Sequence, residues 1–160
     1  MTASSEARQL RLLLSCACTL TRRAARSVNQ LYDAVLAPIG IRASQFILLQ
    51  TIADAGQVAQ RDLAVALSAS TETLSRRLAT MRKHGWIELS IGSNQRERLY
   101  TITAAGREQL TRSLLCWRRA EERLKQQLGD QGWRQMLAML DQLAVASEDA
   151  VSARSRNISE

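Results

Sequence analysis

Residues 60–103 read QRDLAVALSASTETLSRRLATMRKHGWIELSIGSNQRERLYTIT, and the way this stretch divides decides the fold. Gln60 to Leu67 is a short helix with Leu63, Ala64 and Leu67 on one face. Ser68-Ala69-Ser70 is a polar break, and the Ser70 hydroxyl is placed to cap the next helix. That helix runs Thr71 to His84 with Leu74, Leu78 and Met81 on one stripe, and Gly85 stands in the usual terminating position. Ile87-Glu88-Leu89-Ser90-Ile91 and Leu99-Tyr100-Thr101-Ile102 alternate with period two across the polar link Gly92 to Arg98, which is the pattern of a β-hairpin. Two short helices joined by a tight turn and followed at once by a hairpin are the components of a winged helix-turn-helix.

Outward from this stretch the chain is helical. Leu10, Leu13, Leu14, Ala17, Leu20, Ala24, Val28, Leu31 and Val35 recur at three and four residues, predicting an amphipathic helix from Leu10 to Leu36 that Pro38 and Gly40 end. Phe46, Leu48, Leu49, Ile52 and Ala53 predict a short buried helix closed by Gly56. Thr103 caps a fifth helix with a stripe of Leu110, Leu114, Trp117, Leu124 and Leu128, and Gly129 breaks it. A last helix from Asp130 carries Trp133, Met136, Leu137, Leu140 and Leu143 and fades after Val151. The expected fold class is therefore mainly α with a small β-hairpin: one domain over 1–160, in which a winged helix-turn-helix lobe at about 42–103 is flanked by helices at about 6–37 and 104–151.

A chain of 160 residues suits one domain, and 46% apolar with 23% charged residues is a globular composition. The net charge of +7, carried largely by arginine, favours a polyanionic partner, with a merely solvated basic surface as the alternative. The run Leu10 to Leu14 is interrupted by Arg11, so a signal peptide is not expected; no segment reaches the roughly 18 uninterrupted apolar residues of a membrane span, so the expected location is cytoplasmic, without a membrane partner. Cys16, Cys18 and Cys116 are an odd set, expected as free thiols. No nucleophile elbow, phosphate loop or paired ligand motif occurs, so the reading is of no enzyme, no catalytic residues, no metal and no cofactor.

The helix-turn-helix puts its second helix in the major groove of double-stranded DNA. Thr71, Thr73 and Arg76 lie off the Leu74 stripe and toward the helix start, where they are candidates for base contacts. Ser70 and the exposed amides beside it can hold a phosphate oxygen, and Arg77 and Lys83 reach phosphates. In the wing the candidates are Asn94, Gln95, Arg96 and Arg98, with Arg96 the one for insertion into a narrow minor groove. Any one of these arginines taken alone is as readily a solvated surface residue. His84, the only histidine, ends the recognition helix, where its charge suits the helix dipole.

Several motifs occur in one order: Leu31-Tyr32-Asp33 before Pro38-Ile39-Gly40-Ile41, Gln45-Phe46 with Leu48-Leu49, Leu63-Ala64, Thr73-Leu74-Ser75-Arg76, Gly85-Trp86-Ile87-Glu88, Arg96-x-Arg98 and Thr103-Ala104-Ala105-Gly106. From Tyr32 to Leu128 the chain resembles the MarR/SlyA family of bacterial transcription regulators. The resemblance implies a homodimer whose N- and C-terminal helices interlock, binding a pseudo-palindromic operator as a repressor and released by a small ligand, an aromatic or amphipathic anion, or by thiol oxidation. The leucine stripes at both ends of so short a chain also ask for a partner surface, unless they pack on each other within one chain.

Two positions depart from the family pattern. Asn94 stands where an aspartate usually braces the wing, and Arg42 where a threonine often caps the second helix, so that Ser44 is expected to cap a shortened helix one turn later. Cys18 precedes Tyr32 by a spacing similar to that of the peroxide-sensing cysteine and its tyrosine in the OhrR-like branch, with Arg22 one turn on; a second tyrosine of that branch is replaced by Ala43. Cys18 and Tyr32 are thus redox or effector candidates, against the reading of Cys18 as a small packed side chain. Arg22, Arg23 and Arg26 either line an effector cleft or lie on the surface. The competing function is a basic helical interaction or scaffold protein without specific DNA binding, which differs from the first in its salt dependence.

Overall fold

Helix α1 (Ala17–Leu36) buries Tyr32 and Leu36 at its C-terminal end and leaves most of its N-terminal half exposed. The structure, a computed structural model, describes residues 16–92 and 97–157, with 153–157 as backbone only. The expected helix start at Leu10 and the wing residues Asn94, Gln95 and Arg96 lie outside them. A 3-10 turn (Ala37–Ile39) holding Pro38 follows, and Gly40 takes the left-handed conformation at φ 76° that any Cβ would disfavour. Helix α2 (Ala43–Ala55) buries Ala43, Phe46, Leu48, Leu49 and Ile52, so it is apolar on more than one face, as a core helix should be.

The start of α2 corrects the expectation of a shortened helix. The helix begins directly after Arg42, and the caps come from elsewhere: Asp33 Oδ1 accepts from the Ala43 N–H at 2.8 Å and Gln45 Oε1 from the Arg42 N–H at 2.9 Å. A carboxylate on α1 thus satisfies a donor at the N-terminus of α2, where the helix dipole favours negative charge. Arg42 stands 3.8 Å from the same carboxylate.

A strand β1 (Gln57–Ala59), helix α3 (Gln60–Ala66), helix α4 (Thr71–Lys83) and strands β2 (Ile87–Ile91) and β3 (Arg98–Ile102) follow. The hairpin is as expected, but it belongs to an antiparallel three-stranded sheet of order β1-β3-β2 in which Tyr100 faces both Val58 and Leu89. Leu49, Ile52, Leu63, Leu74, Leu78 and Met81 are fully buried, so α2, α3 and α4 share one core under the sheet. Shortening any of them to alanine would cost about 2–5 kcal/mol.

Helix α5 (Ala104–Asn157) is anchored at its start. Thr103 donates from Oγ1 to Gly85 O at 2.7 Å and from its backbone to Trp86 O at 3.0 Å, while the Gly106 N–H returns to Thr103 Oγ1. A Cβ at Gly106 would fall 2.0 Å from Trp86 O, so only glycine lets the helix sit this close to the turn. Further along, Trp117 stacks on Tyr32 with ring centroids 4.0 Å apart and on Phe46 at 4.7 Å. The chain divides into two compact units at Arg118. The second contains the expected break at Gly129 (φ 69°, ψ 165°) and, beyond it, exposed Leu137, Met139, Leu140 and Leu143. No single described helix is long and apolar enough to cross a membrane.

Candidate nucleic-acid interface

Ser70 caps α4 as its sequence position indicates: Oγ accepts from the Thr73 N–H at 3.3 Å and donates to Thr73 Oγ1 at 2.9 Å. The cap therefore engages Thr73, which is half-buried. At 100° per residue the face opposite the Leu74, Leu78, Met81 stripe is made by Glu72, Arg76 and Lys83, which project within about 40° of one another. All three are exposed. Thr71 is also exposed but on one flank, and Arg77 is half-buried on the other, so the candidates divide into an outward pair, Arg76 and Lys83, and flanking residues. Arg76 lies 3.4 Å from Glu72 one turn before it. Sequence reasoning passed over Glu72, although the acidic and basic residues four apart signal this pair.

Beside α4 lies a cleft of about 700 Å³ lined by Ala59, Gln60, Arg61, Thr71, Ser75, Glu97 and Arg98. Gln60 ties its walls together, donating from Nε2 to Ser75 Oγ at 2.7 Å and accepting from Tyr100 OH at 3.3 Å. At the base of the wing Gly92 N–H donates to Glu97 O, and the Glu97 carboxylate stands 3.9 Å from Arg61 on α3. Arg98, a wing candidate, is exposed on this cleft, and Arg61, which sequence reasoning also missed, is exposed on its other side. His84 ends α4 and stacks on Trp86 with ring centroids 4.5 Å apart. Arg61 on α3 and Arg98 on β3 thus border one cleft together with Glu97, while Glu72, Arg76 and Lys83 form the exposed outward face of α4. Among the described residues no group of three or more His, Cys, Asp or Glu side chains could hold a metal ion.

Residues 39–97, from just before α2 to the residue before β3, match the model of the MarR family. The transcriptional regulator MosR of M. tuberculosis, solved in complex with DNA, is 31% identical, superposes with a TM-score of 0.77, and is matched over 98% of its chain and 85% of this one. The chain belongs to the MarR family. A MarR mutant from E. coli, complexed with operator DNA, shares the fold with a TM-score of 0.72 at 23% identity, over 78% of this chain and 90% of that one. The HTH-type regulator YwoH of Bacillus subtilis is 25% identical over 81 residues; that match takes in 51% of this chain and 59% of YwoH, short of two thirds of the relative's length.

Within this MarR-family chain the two redox candidates do not meet. Cys18 and Tyr32 lie on one helix, about 21 Å apart by its rise. Tyr32 is buried against Trp117, and Cys18 is exposed. The thiol with built surroundings is Cys16, which caps α1: Sγ accepts from the Thr19 N–H at 3.4 Å and lies 3.0 Å from Thr19 Oγ1. These hydrogen bonds, the one with the hydroxyl foremost, hold the Cys16 thiol below its ordinary pKa. The signal was present as a cysteine three residues before a threonine at a helix start, the spacing of an N-cap and its N3 partner. Arg22, Arg23 and Arg26 are exposed along the same helix, and Cys116 is half-buried next to Trp117.

Proposed function

We propose that this chain is a sequence-specific double-stranded DNA-binding transcription regulator, a repressor that acts as a homodimer on a pseudo-palindromic operator. The observation that carries the reading is the outward face of α4, where Arg76 and Lys83 stand exposed opposite a fully buried stripe. Arg76 supplies the bidentate donor geometry that guanine accepts, Lys83 and Arg77 neutralise phosphates, and Ser70, Thr71 and Thr73 contact bases or backbone at the helix start. Asn94, Gln95, Arg96 and Arg98 carry the wing contacts. MosR, bound to DNA in its crystal structure, supports this assignment.

In this reading the lobe at about 42–103 is held by dimerisation helices at about 6–37 and 104–151, all within one domain. The exposed Leu137, Leu140 and Leu143 supply apolar surface for a second copy. Release comes from a small aromatic or amphipathic anion or from thiol oxidation, either of which must favour a conformation of lower DNA affinity. The protein works by binding and not by turnover, and its place is the cytoplasm. Nuclease footprinting on the DNA upstream of its own gene tests this. Two-fold symmetric protection with half-site centres a turn apart, about 34–36 Å, or a multiple of it, is expected; no protection at any concentration that shifts bulk DNA overturns the reading.

A further inference from the structure

Glu72 is out of place on a surface that meets phosphates. It lies on the outward face of α4 with Arg76 and Lys83, its side chain is 82% exposed, and Arg76, with which it pairs, is itself 72% exposed. Near DNA, Arg76 would turn to the bases or phosphates and leave the carboxylate facing the groove. An ionised carboxylate accepts hydrogen bonds only, so it is repelled by phosphate and by the acceptor atoms of guanine (N7, O6), thymine (O4) and adenine (N7). Cytosine presents a donor, the N4 amino group, with no acceptor beside it.

We infer that Glu72 is a specificity-determining residue: it accepts from the N4 amino group of a cytosine close to the guanine read by Arg76, and penalises the other three bases at that position. The exposed pair in the free protein keeps both side chains at the helix start, where recognition helices meet base edges, and an exposed pair of this kind is weak enough to open on binding. The inference rests on the proposed DNA-binding function. It differs from the plain alternative that Glu72 only stabilises the first turn of α4 through the helix dipole.

The two separate in a selection from a pool of randomised duplexes using the full-length chain, its Glu72→Gln and its Glu72→Asp variants, with thermal melting of each. Wild type should enrich one two-fold consensus with a cytosine in each half-site near a guanine. Both variants should lose preference for that cytosine by about 5- to 150-fold, the span of one good base contact, and keep the rest of the consensus. Glu72→Asp retains the charge, and with it the dipole interaction and the melting temperature, but its shorter side chain withdraws from the base. An unchanged consensus in Glu72→Gln and Glu72→Asp overturns the inference while leaving DNA binding intact. Failure of wild type to enrich any consensus overturns the DNA-binding reading itself, and this inference with it.

Discussion

Gln60 and Ser75 are joined by a hydrogen bond of 2.7 Å that fixes α3 to the recognition helix. The same amide accepts from Tyr100 on the central strand, so one side chain holds together the two helices of the motif and the strand that carries the wing. Replacing it, Gln60→Ala, leaves the part-buried Ser75 and Tyr100 hydroxyls without this partner and should cost about 1–2 kcal/mol, seen as a lower denaturation midpoint at unchanged slope. Specific DNA affinity should fall further than stability alone requires. An unchanged midpoint would show that the bond contributes nothing.

Gly106→Ala should destabilise the chain by about 2 kcal/mol or more, because the added methyl collides with the backbone carbonyl of Trp86 and backbone cannot move aside cheaply. Thermal melting checks it. A melting temperature within a degree of wild type would mean that α5 slides along the turn without loss.

Much of this architecture was legible in the sequence. The three- and four-residue recurrences gave α1, α4 and the helix before Gly129, and Ser70 and Thr103 cap where the pattern put them. What escaped depends on contacts far along the chain. The cap of α2 comes from Asp33, ten residues earlier and across a turn, so no local signal at Arg42 could show it. Strand β1 is three residues long and acquires its conformation only by pairing with β3. In the candidate interface the basic residues of α4 were legible by their register against the Leu74 stripe, but Arg61 comes to border the cleft beside α4 only through folding. Glu72 is marked in the sequence only by its spacing of four from Arg76.

Glu97→Gln removes a negative charge between Arg61 and Arg98 at the base of the wing. Affinity for duplexes of any sequence should rise by about two- to fivefold, the scale of an exposed ion pair, with sequence preference unchanged. Anisotropy titrations with a specific and a shuffled duplex check this; weaker binding would mean that Glu97 is needed to position Arg61.

Cys16 should ionise at lower pH than an ordinary cysteine, since its folded-state pKa is depressed by the hydrogen bonds with Thr19. The thiolate is therefore present over a range where a free thiol remains protonated. Alkylation of the Cys18→Ser/Cys116→Ser protein should reach its half-maximal rate at a lower pH than for a cysteine peptide, and Thr19→Ala should move that midpoint upward. Identical pH profiles with and without Thr19 would contradict the assignment.

Whether the outward face of α4 reads duplex DNA is decided by equilibrium anisotropy of wild type and Arg76→Ala over a salt series. The probes are a footprinted duplex and a shuffled duplex of the same composition. The expected result is selective binding by wild type that weakens steeply with salt, and a loss of about 1–3 kcal/mol in Arg76→Ala on the specific duplex with little change on the shuffled one. Equal affinity of both proteins for both duplexes would contradict a reading role for α4.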